Sequence, residues 1–385
     1  MKEHHDFDLV IDRNSSVPTY QQLTDKIISL VQSGKIIIGG FLPTEKEICD
    51  MSGLSRMTVR KSLQKLNQLG MVEAVRGRGT FVVSKEPTDN IKYSIGFALR
   101  PERFIEEDPF YSQILMGVTQ AAQNSQVHLA FIKGENISAE SQIVRRYSIL
   151  KNLSGIIVAG QMPSAFLDYL VKIHLPCVLI NCGASQYPFD CVTSNQREIG
   201  GKVALHLMEQ GHKQCLYLSG EPDNIAYEER LSGFQEIYCQ DNDNQVHVLK
   251  GGKQSQSGRD MIKKALRRNI SFTAVATGND MMAIGAMNEL QDCGIRIPED
   301  ISVCGIDNVP IAENCRPSLT TVHIEKQDMG SRALQIILER LMHPKKAQET
   351  VLLGTKLTER QSTGPALVNT QNPESVPAPT LITNA

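Results

Sequence analysis

Residues 55–81, SRMTVRKSLQKLNQLGMVEAVRGRGTF, decide the fold of the N-terminal part of the chain. The stretch begins with Ser55, which can cap a helix, and Gly70 supplies a C-terminal stop. Between them the apolar residues recur at helical spacing, which predicts one buried stripe formed by Val59, Leu63, Leu66 and Leu69. The opposite face of this helix carries hydrogen-bond donors, among them Arg60 and Lys61.

A hairpin is predicted directly after this helix. Two short apolar runs, residues 72–75 and 80–83, flank the sequence RGRG, whose glycines permit a turn. Upstream, Thr44 and Glu47 have the spacing of a capping box at the start of another helix, and residues 51–54 form the predicted turn between the two helices. Helix, turn, helix and wing in this order indicate a small DNA-binding domain.

Positive charge is concentrated in the same region. Residues 51–80 hold six lysines or arginines and a single acid, Glu73, whereas the whole chain has a net charge of −2. Such a patch favours contact with phosphates. The alternative is a solvated charged helix on an ordinary globular protein, but the turn, the cap and the basic wing together favour DNA binding.

The segment from residue 17 to residue 82 resembles the winged helix-turn-helix of GntR-family regulators. The matching motifs are VPTYQQL at 17–23, LPTE at 42–45, LSRMTVR at 54–60 and GRGTFV at 77–82. The resemblance implies operator contacts at Glu45, Arg56, Thr58, Arg60, Arg76 and Gly77. The candidate set also includes the neighbouring polar residues Lys46, Ser55, Lys61 and Arg78. Relatives often carry arginine where this chain has Lys46, and lysine lacks the bidentate fork of arginine.

Composition places the chain among ordinary globular proteins, with 385 residues, 41% of them hydrophobic and 21% charged. The nine cysteines form an odd set without a C-x-x-C pair, which is typical of buried thiols in a reducing cytoplasm. A zinc site is the alternative, but histidine and cysteine do not recur at ligand spacing, so no metal and no cofactor is expected. Neither a signal peptide nor an apolar run of membrane-spanning length occurs, so a cytoplasmic protein without membrane contact is expected.

From residue 91 onward the pattern changes to short apolar runs, with helix-patterned stretches between most of them. The runs lie at 91–98, 127–132, 155–159, 177–181, 214–219, 274–277 and 301–306. They predict a parallel α/β architecture, in which ligand-binding groups lie at the carboxyl ends of the strands. Amides, carboxylates and aromatic rings follow several of these runs, and such groups suit a ligand with many hydroxyls. Asn, Asp and Gly after strands are also common loop and helix-cap residues, which is the alternative explanation.

The C-terminal part resembles the effector domain of the LacI/GalR family and related sugar-binding receptors. The matching motifs are YEERLSGF at 227–234, TGNDMMAIGA at 277–286, IPEDISVCGIDN at 297–308, PSLTTV at 317–322 and LTERQST at 357–363. The resemblance implies a two-lobed fold with a ligand cleft and three hinge crossovers near 192–200, 308–320 and 350–357. The two resemblances together place the winged helix-turn-helix at 14–84 and the effector domain at 92–368. A polar composition that includes proline predicts a linker at 85–91 and a disordered tail at 369–385.

The same resemblance implies the ligand-binding residues. Arg230 would clamp sugar hydroxyls, Asn279 and Asp307 would hydrogen-bond them, and Phe110 or Tyr111 would stack on the ring. Asn181 falls where relatives often place another polar contact, although Cys182 beside it departs from their charged pattern. Arg230 could instead pair with Glu228 or Glu229, and Asp280 is expected to cap the helix that follows it.

These features predict a homodimeric transcription regulator that is not an enzyme. We expect a repressor of carbohydrate-utilisation genes that a small sugar releases from operator DNA, because GntR-type readers joined to LacI-type sensors resemble arabinose-responsive, AraR-type repressors. L-arabinose is therefore the first candidate effector. The alternatives are an activator or a repressor that answers a sugar phosphate or a nucleoside, a regulator with an aminotransferase-like domain and pyridoxal phosphate, and a solute receptor for transport.

Overall fold

The computed structural model of the chain describes residues 9–12, 15, 17–75, 79–84, 92–99, 108–123, 125, 127–133, 148–183, 186–222 and 224–367. The chain divides into two compact units, one formed by residues up to 94 with 125–128 and the other by the rest. The predicted linker at 85–91 and the predicted tail at 369–385 lie outside the described residues. The four predicted domain boundaries therefore stay predictions.

The first unit is built from three helices and a hairpin. These elements are α1 (Thr19–Gln32), α2 (Glu45–Ser52), α3 (Arg56–Gln68), β1 (Val72–Val75) and β2 (Gly79–Val82). The predicted stripe of α3 faces the core: Val59 and Leu66 are fully buried, and Leu63 and Leu69 pack against them. The opposite face of α3 is exposed at Met57, Arg60, Lys61 and Gln64, as the spacing predicted.

Local hydrogen bonds fix the ends of α2 and α3. Thr44 Oγ1 accepts from the backbone N–H of Glu47, and the Glu47 carboxylate accepts from the backbone N–H of Thr44, which confirms the capping box. The tight turn after α2 is made by Gly53 in the left-handed conformation, with a φ of 66°. Ser55 Oγ then accepts from the backbone N–H of Thr58, which confirms the predicted cap of α3.

The hairpin is antiparallel, and its register runs from Val72 opposite Val82 to Val75 opposite Gly79. Its second strand begins one residue earlier than the apolar run 80–83 predicts. On its other side β2 receives backbone hydrogen bonds from Gly39 and Leu42, a pairing that the sequence did not predict. The turn residues Arg76, Gly77 and Arg78 lie outside the described residues.

The second unit contains two lobes, each with a six-stranded sheet. The first lobe contains β3 (Tyr93–Leu99), β4 (Val127–Lys133), β5 (Gly155–Ala159), β6 (Cys177–Ile180), β7 (Asp190–Ser194) and β13 (Thr350–Leu353). Its strand order is β13-β7-β6-β5-β3-β4. Pairing is parallel from β3 through β5, β6 and β7 to β13. The helices of this lobe within the described residues are α4 (Pro109–Gln123), α5 (Ser164–Lys172) and α11 (Lys326–Met342).

The second lobe repeats this architecture. Its strands are β8 (Gln214–Ser219), β9 (Gln245–Lys250), β10 (Ala274–Thr277), β11 (Ser302–Asp307), β12 (Thr320–Ile324) and β14 (Thr355–Thr358). Their order is β14-β12-β11-β10-β8-β9, and β14 runs antiparallel to β12. The helices are α6 (Gln196–Glu209), α7 (Ile225–Tyr238), α8 (Ser255–Arg267), α9 (Asp280–Asp292) and α10 (Pro310–Asn314).

The chain passes between the two lobes at three places. It leaves β7 of the first lobe for α6 of the second near residue 195, and it leaves β13 for β14 near residue 354. Both places lie inside the predicted ranges 192–200 and 350–357. The prediction of a crossover at 308–320 was wrong, because β12 still pairs with β11 in the second lobe. This crossover falls at Glu325, before α11, which packs on α4 in the first lobe.

The apolar runs predicted seven strands, and all seven are present with shifts of a few residues at their ends. Five further strands of this unit, β7, β9, β12, β13 and β14, were not predicted, because their residues are largely polar or half-exposed. Within the described ranges, no helix has the length and apolar character needed to cross a membrane. In the same part of the chain, no group of His, Cys, Asp and Glu side chains has the arrangement of a metal site.

Candidate ligand cleft and DNA-binding surface

A cleft lies between the two lobes at the carboxyl ends of their strands. All six residues predicted to bind ligand line it: Phe110, Tyr111, Asn181, Arg230, Asn279 and Asp307. Five further residues complete the lining, namely Asp108, Gln161, Asn224, Ala226 and Tyr227. The cavity between them measures about 50 Å³, and the space reaches about 490 Å³ when the part that opens to solvent is included.

An ion pair between Arg230 and Asp307 forms the floor of the cleft. Arg230 Nη1 lies 3.3 Å from Asp307 Oδ1, and both side chains are at least nine-tenths buried. Arg230 does not pair with Glu228 or Glu229; Nε donates to Gln196 Oε1 at 2.8 Å, and Nη1 donates to the backbone oxygen of Gly278 at 2.6 Å. Among the described residues, none accepts a hydrogen bond from Nη2. The guanidinium is thus fixed in orientation and keeps one nitrogen for a ligand.

Asp307 is held in a strained backbone conformation. Its φ is 115°, which is uncommon for a residue with a side chain, and the cleft residue Asn181 also has a positive φ of 49°. Asp307 Oδ1 is buried and accepts no hydrogen bond of normal geometry from the described residues. Burial raises the pKa of Asp307 to about 6, although Arg230 and Lys326 act in the opposite direction. A buried carboxylate of this kind is an acceptor prepared for donors that the described residues do not supply.

Asp280 does not cap the helix that follows it, so that prediction was wrong. It is the first residue of α9 and is completely buried beneath the cleft. Its carboxylate accepts from Thr321 Oγ1 at 2.6 Å and from the backbone N–H of Val309 at 2.8 Å. Burial, followed by the proximity of Asp307, raises the pKa of Asp280 to about 8. Asp280 therefore supports the loop after β11 from below.

The cap of α9 is Asn279. Its Oδ1 accepts from the backbone N–H of Met282 at 2.9 Å, while Nδ2 donates to Tyr227 Oη at 3.1 Å and to the backbone oxygen of Lys253 at 3.0 Å. Both amide protons of Asn279 are therefore used within the protein. Asn279 lines the cleft, but its first contribution is to hold the Tyr227 hydroxyl in place.

Asn181 and Gln196 join the cleft to the crossover near residue 195. Asn181 Oδ1 accepts from Thr193 Oγ1 at 2.8 Å and from Gln196 Nε2 at 3.3 Å. Because the same Gln196 accepts from Arg230, it bridges the two walls of the cleft. The sequence did not identify Gln196; a polar residue at the start of a helix offers no pattern that separates it from an ordinary surface residue.

Three aromatic rings of the described residues line the cleft. Phe110 and Tyr111 meet edge to face with centroids 5.2 Å apart, both buried at the start of α4. Gly160 has a φ of 77°, and a Cβ atom there would lie 2.6 Å from Tyr111 Oη, so this position favours glycine. Tyr227 was missed as a cleft residue, although it opens the YEERLSGF motif that pointed to Arg230 one helical turn later.

On the exposed face of α3, the side chain of Arg60 is held in place by an ion pair. Arg60 Nε lies 3.1 Å and 3.0 Å from the two carboxylate oxygens of Glu45, in α2. With side-chain exposures of 59% and 39%, this ion pair adds little stability, but it fixes the direction of the Arg60 guanidinium. Two predicted contacts, Glu45 and Arg60, thus form a single unit.

The other predicted DNA contacts differ in their surroundings. Lys46 and Arg56 are exposed beside the Glu45–Arg60 pair on α2 and α3. Ser55 and Thr58 bond to each other through their hydroxyls at 2.9 Å, in keeping with their role at the helix start. Lys61 turns toward α1, where its Nζ lies 4.0 Å above the centre of the Tyr20 ring.

Comparison with known proteins agrees with these two units. Residues 19–82 match the family described as bacterial regulatory proteins, gntR family, and residues 204–363 match the periplasmic binding protein-like domain. The HTH-type transcriptional repressor PurR of Vibrio atlanticus is 30% identical over 261 residues, which cover 66% of this chain and 77% of that protein. The chain is a LacI-type transcriptional repressor with a gntR-family DNA-binding domain. PurR of Mannheimia succiniciproducens is similar to this LacI-type repressor over a longer region, with 26% identity over 333 residues, 83% of this chain and 98% of that protein.

Solved structures share the fold of this LacI-type repressor. A LacI family regulator from Enterococcus faecalis with bound ribose superimposes with a TM-score of 0.63 at 24% identity, covering 71% of this chain and 99% of that one. The complex of the regulator CelR with cellobiose gives a TM-score of 0.64 at 20% identity, covering 83% and 100%. The relatives named here are transcription regulators, in agreement with the predicted regulatory class.

Proposed function

We propose that this LacI-type repressor binds operator DNA as a cytoplasmic homodimer and is released when a small polyhydroxylated ligand fills the cleft. The proposed ligand class is the neutral aldoses, with L-arabinose as the first candidate, and the proposed targets are carbohydrate-utilisation genes. A dimer is proposed because one winged helix makes few base contacts, whereas two half-sites multiply them.

The buried carboxylate of Asp307 carries this proposal. Its Oδ1 lies beside Arg230 and accepts no hydrogen bond from the described residues. Hydroxyl groups both donate and accept, so adjacent hydroxyls of a sugar can donate to Asp307 and accept from Arg230 Nη2. The rings of Phe110 and Tyr111 supply apolar contact on the opposite wall.

The charge of the cleft supports a neutral ligand. Among the described residues, two carboxylates, Asp108 and Asp307, line it against one cation, Arg230. Lys253 lies in an adjoining chamber, where its Nζ is 3.6 Å from Glu221. An anionic ligand such as a sugar phosphate would therefore meet an excess of negative charge. The ribose and cellobiose in the two similar structures are ligands of those proteins and agree with this chemistry.

The proposed operator surface consists of the exposed start of α3, the start of α2 and the wing. Arg60 would contact base edges or phosphates in the orientation that Glu45 sets, with Arg56, Thr58, Lys46, Ser55 and Lys61 around it. Arg76, Gly77 and Arg78 of the wing are proposed as further contacts on sequence grounds alone.

A thermal-shift panel tests the ligand. Pentoses, hexoses, their phosphates and nucleosides are compared at matched concentrations on the full chain, because a ligand raises the melting temperature by mass action. We expect L-arabinose to raise the melting temperature of the wild type, and Asp307→Asn to remove the response. The matched control is Asp243→Asn, which changes an exposed aspartate of the same unit. If only nucleosides or sugar phosphates raise the melting temperature, the proposed aldose is wrong and that class is the ligand. If the variant Asp307→Asn keeps the full rise in melting temperature, the assignment of the cleft is wrong.

A gel shift tests whether the ligand changes DNA binding. It uses a DNA duplex that the purified protein has selected from a random pool. We expect L-arabinose to release the wild type from this duplex. Tighter binding in the presence of L-arabinose would reverse the proposed sign of the response.

A further inference from the structure

Lys326 is a buried cation at one of the three crossovers. It is the first residue of α11 and is 2% exposed. Its Nζ donates to the backbone oxygens of Ile324 at 3.0 Å and Asn308 at 3.3 Å, and in a short contact to that of Asp307. An ammonium group has three protons, so these three carbonyl oxygens satisfy it completely.

The position is unfavourable for a lysine in two ways. Burial lowers its pKa, although the carboxylates of Asp307, Asp280 and Glu325 oppose this effect. The N-terminal end of a helix also repels a positive charge, and α11 is one of the longer helices of the chain. An apolar side chain of similar length would fill the same volume without either cost. The distinct contribution of the ammonium is therefore its three hydrogen bonds to backbone carbonyl groups, which an apolar side chain could not make.

The three carbonyl groups belong to two segments, one at the end of β11 and the other at the end of β12. Ile324 ends the last parallel strand of the second lobe, and Lys326 begins the helix that packs in the first lobe. Asp307 and Asn308 form the strained end of β11 at the floor of the cleft, with φ values of 115° and 51°. One ammonium group thus connects the backbone of the proposed ligand contact to the crossover.

We propose that Lys326 is the positioning residue that couples ligand contact at Asp307 to movement of the crossover and of α11. Lys326 acts through the backbone of residues 307 and 308 and does not itself contact the ligand. The proposal rests on the cleft assignment made above and adds the route by which the filled cleft changes the arrangement of the lobes.

Close helix packing extends this route to the opposite wall of the cleft. A Cβ atom on Gly117, in α4, would lie 1.9 Å from the backbone oxygen of Gln327, and a Cβ atom on Gly330 would lie 2.1 Å from the backbone oxygen of Ile114. With their backbones in contact, α4 and α11 shift together. Because α4 begins with the cleft residues Phe110 and Tyr111, a shift of α11 moves the wall that faces Asp307.

Hydrogen exchange of the full chain without ligand tests the connection itself. Lys326→Met keeps the length of the side chain and removes the ammonium; Lys213→Met, at an exposed lysine paired with Asp243, is the matched control. We expect exchange to become about tenfold faster or more in residues 303–309 and in residues 325–331 together, and to be unchanged in the control. Faster exchange at only one of the two segments, or at neither, would overturn the proposal. If the methionine variant does not fold, Lys326→Gln, which keeps an N–H donor, should show a smaller change in the same two segments.

A second arm adds L-arabinose to the wild type and to Lys326→Met. We expect the sugar to slow exchange in both segments of the wild type, but only in residues 303–309 of the variant. Equal protection of both segments in the variant would show that Lys326 does not transmit the signal. If L-arabinose protects neither segment of the wild type, the sugar assignment fails, while the arm without ligand still decides whether Lys326 makes the connection.

Discussion

Replacement of Asp307 by asparagine should stabilise the ligand-free protein while it removes the response to sugar. Burial raises the pKa of this carboxyl to about 6, whereas an exposed aspartate has a pKa of about 3.9. The folded protein therefore holds the Asp307 proton more tightly than the unfolded chain does. As the pH rises from about 4 through about 6, ionisation takes free energy away from the folded state, and above about pH 7 the loss is constant.

The size of this effect follows from the shift in pKa. Two pKa units correspond to roughly 3 kcal/mol at pH 8, and integration of the two titration curves leaves about half of that at pH 5. The pKa of Asp307 already includes the attraction of Arg230, so this attraction is not added again to the free energy. Asparagine has no carboxyl to ionise, and its Oδ1 can still face Arg230. We therefore expect the variant to gain about 1–3 kcal/mol at pH 8 and about half as much at pH 5.

Calorimetry or a thermal-shift assay at pH 5 and pH 8 measures this difference. One kcal/mol moves the melting temperature by about 2–4 °C in domains of 150–250 residues, so a gain of several degrees is expected at pH 8. Asp243→Asn, at an exposed position, should give no such gain. A variant less stable than the wild type at pH 8, or equally stabilised at both pH values, would refute the reasoning, because either result means that the folded state does not disfavour the ionised carboxylate.

Three further predictions concern the DNA-binding surface and the helix packing. Arg60→Ala should weaken binding to the selected duplex in a gel shift by about 1–3 kcal/mol, with the affinity for L-arabinose unchanged; equal loss of both would indicate misfolding instead. Raising the salt concentration from 50 to 200 mM should lower the DNA affinity by about 10³-fold if about six phosphates are contacted, and a flat salt dependence in a titration would contradict a phosphate-binding surface. Gly117→Ala places a methyl group 1.9 Å from the backbone oxygen of Gln327, so urea denaturation should show a loss of about 1–3 kcal/mol or more; Gly354→Ala, at an exposed glycine with an ordinary backbone conformation and open space around the new methyl group, is the matched control.

The DNA-binding unit could be predicted almost completely from its sequence, because its determinants are local. The Thr44–Glu47 capping box, the Ser55 cap and the stripe from Val59 to Leu69 lie within a few residues of one another and appear in the structure as predicted. The pairing of β2 with residues 39–42 was missed, because it joins segments far apart in sequence and carries no local signal.

The cleft was predicted in its membership but not in its internal contacts. Strand ends and family motifs brought Arg230, Asn279 and Asp307 to one site, where the structure also places them. The cap of α9 was assigned to the wrong residue, since Asn279 is the cap and Asp280 is a buried support. Two adjacent polar residues can both cap a helix in principle. The backbone conformation at the end of the strand decides which of them does so, and the residue types alone do not reveal that conformation.

The sequence by itself determined the classes of both units, their order along the chain and the polar residues that meet at the cleft. These properties follow from periodicity, caps and motifs, all of which act over short distances along the chain. Only the tertiary structure decided which charges pair, where the second crossover lies and what Lys326 contacts. The pairing of buried charges depends on distance and desolvation in the folded protein. Residues that lie far apart in sequence become neighbours only when the lobes are formed.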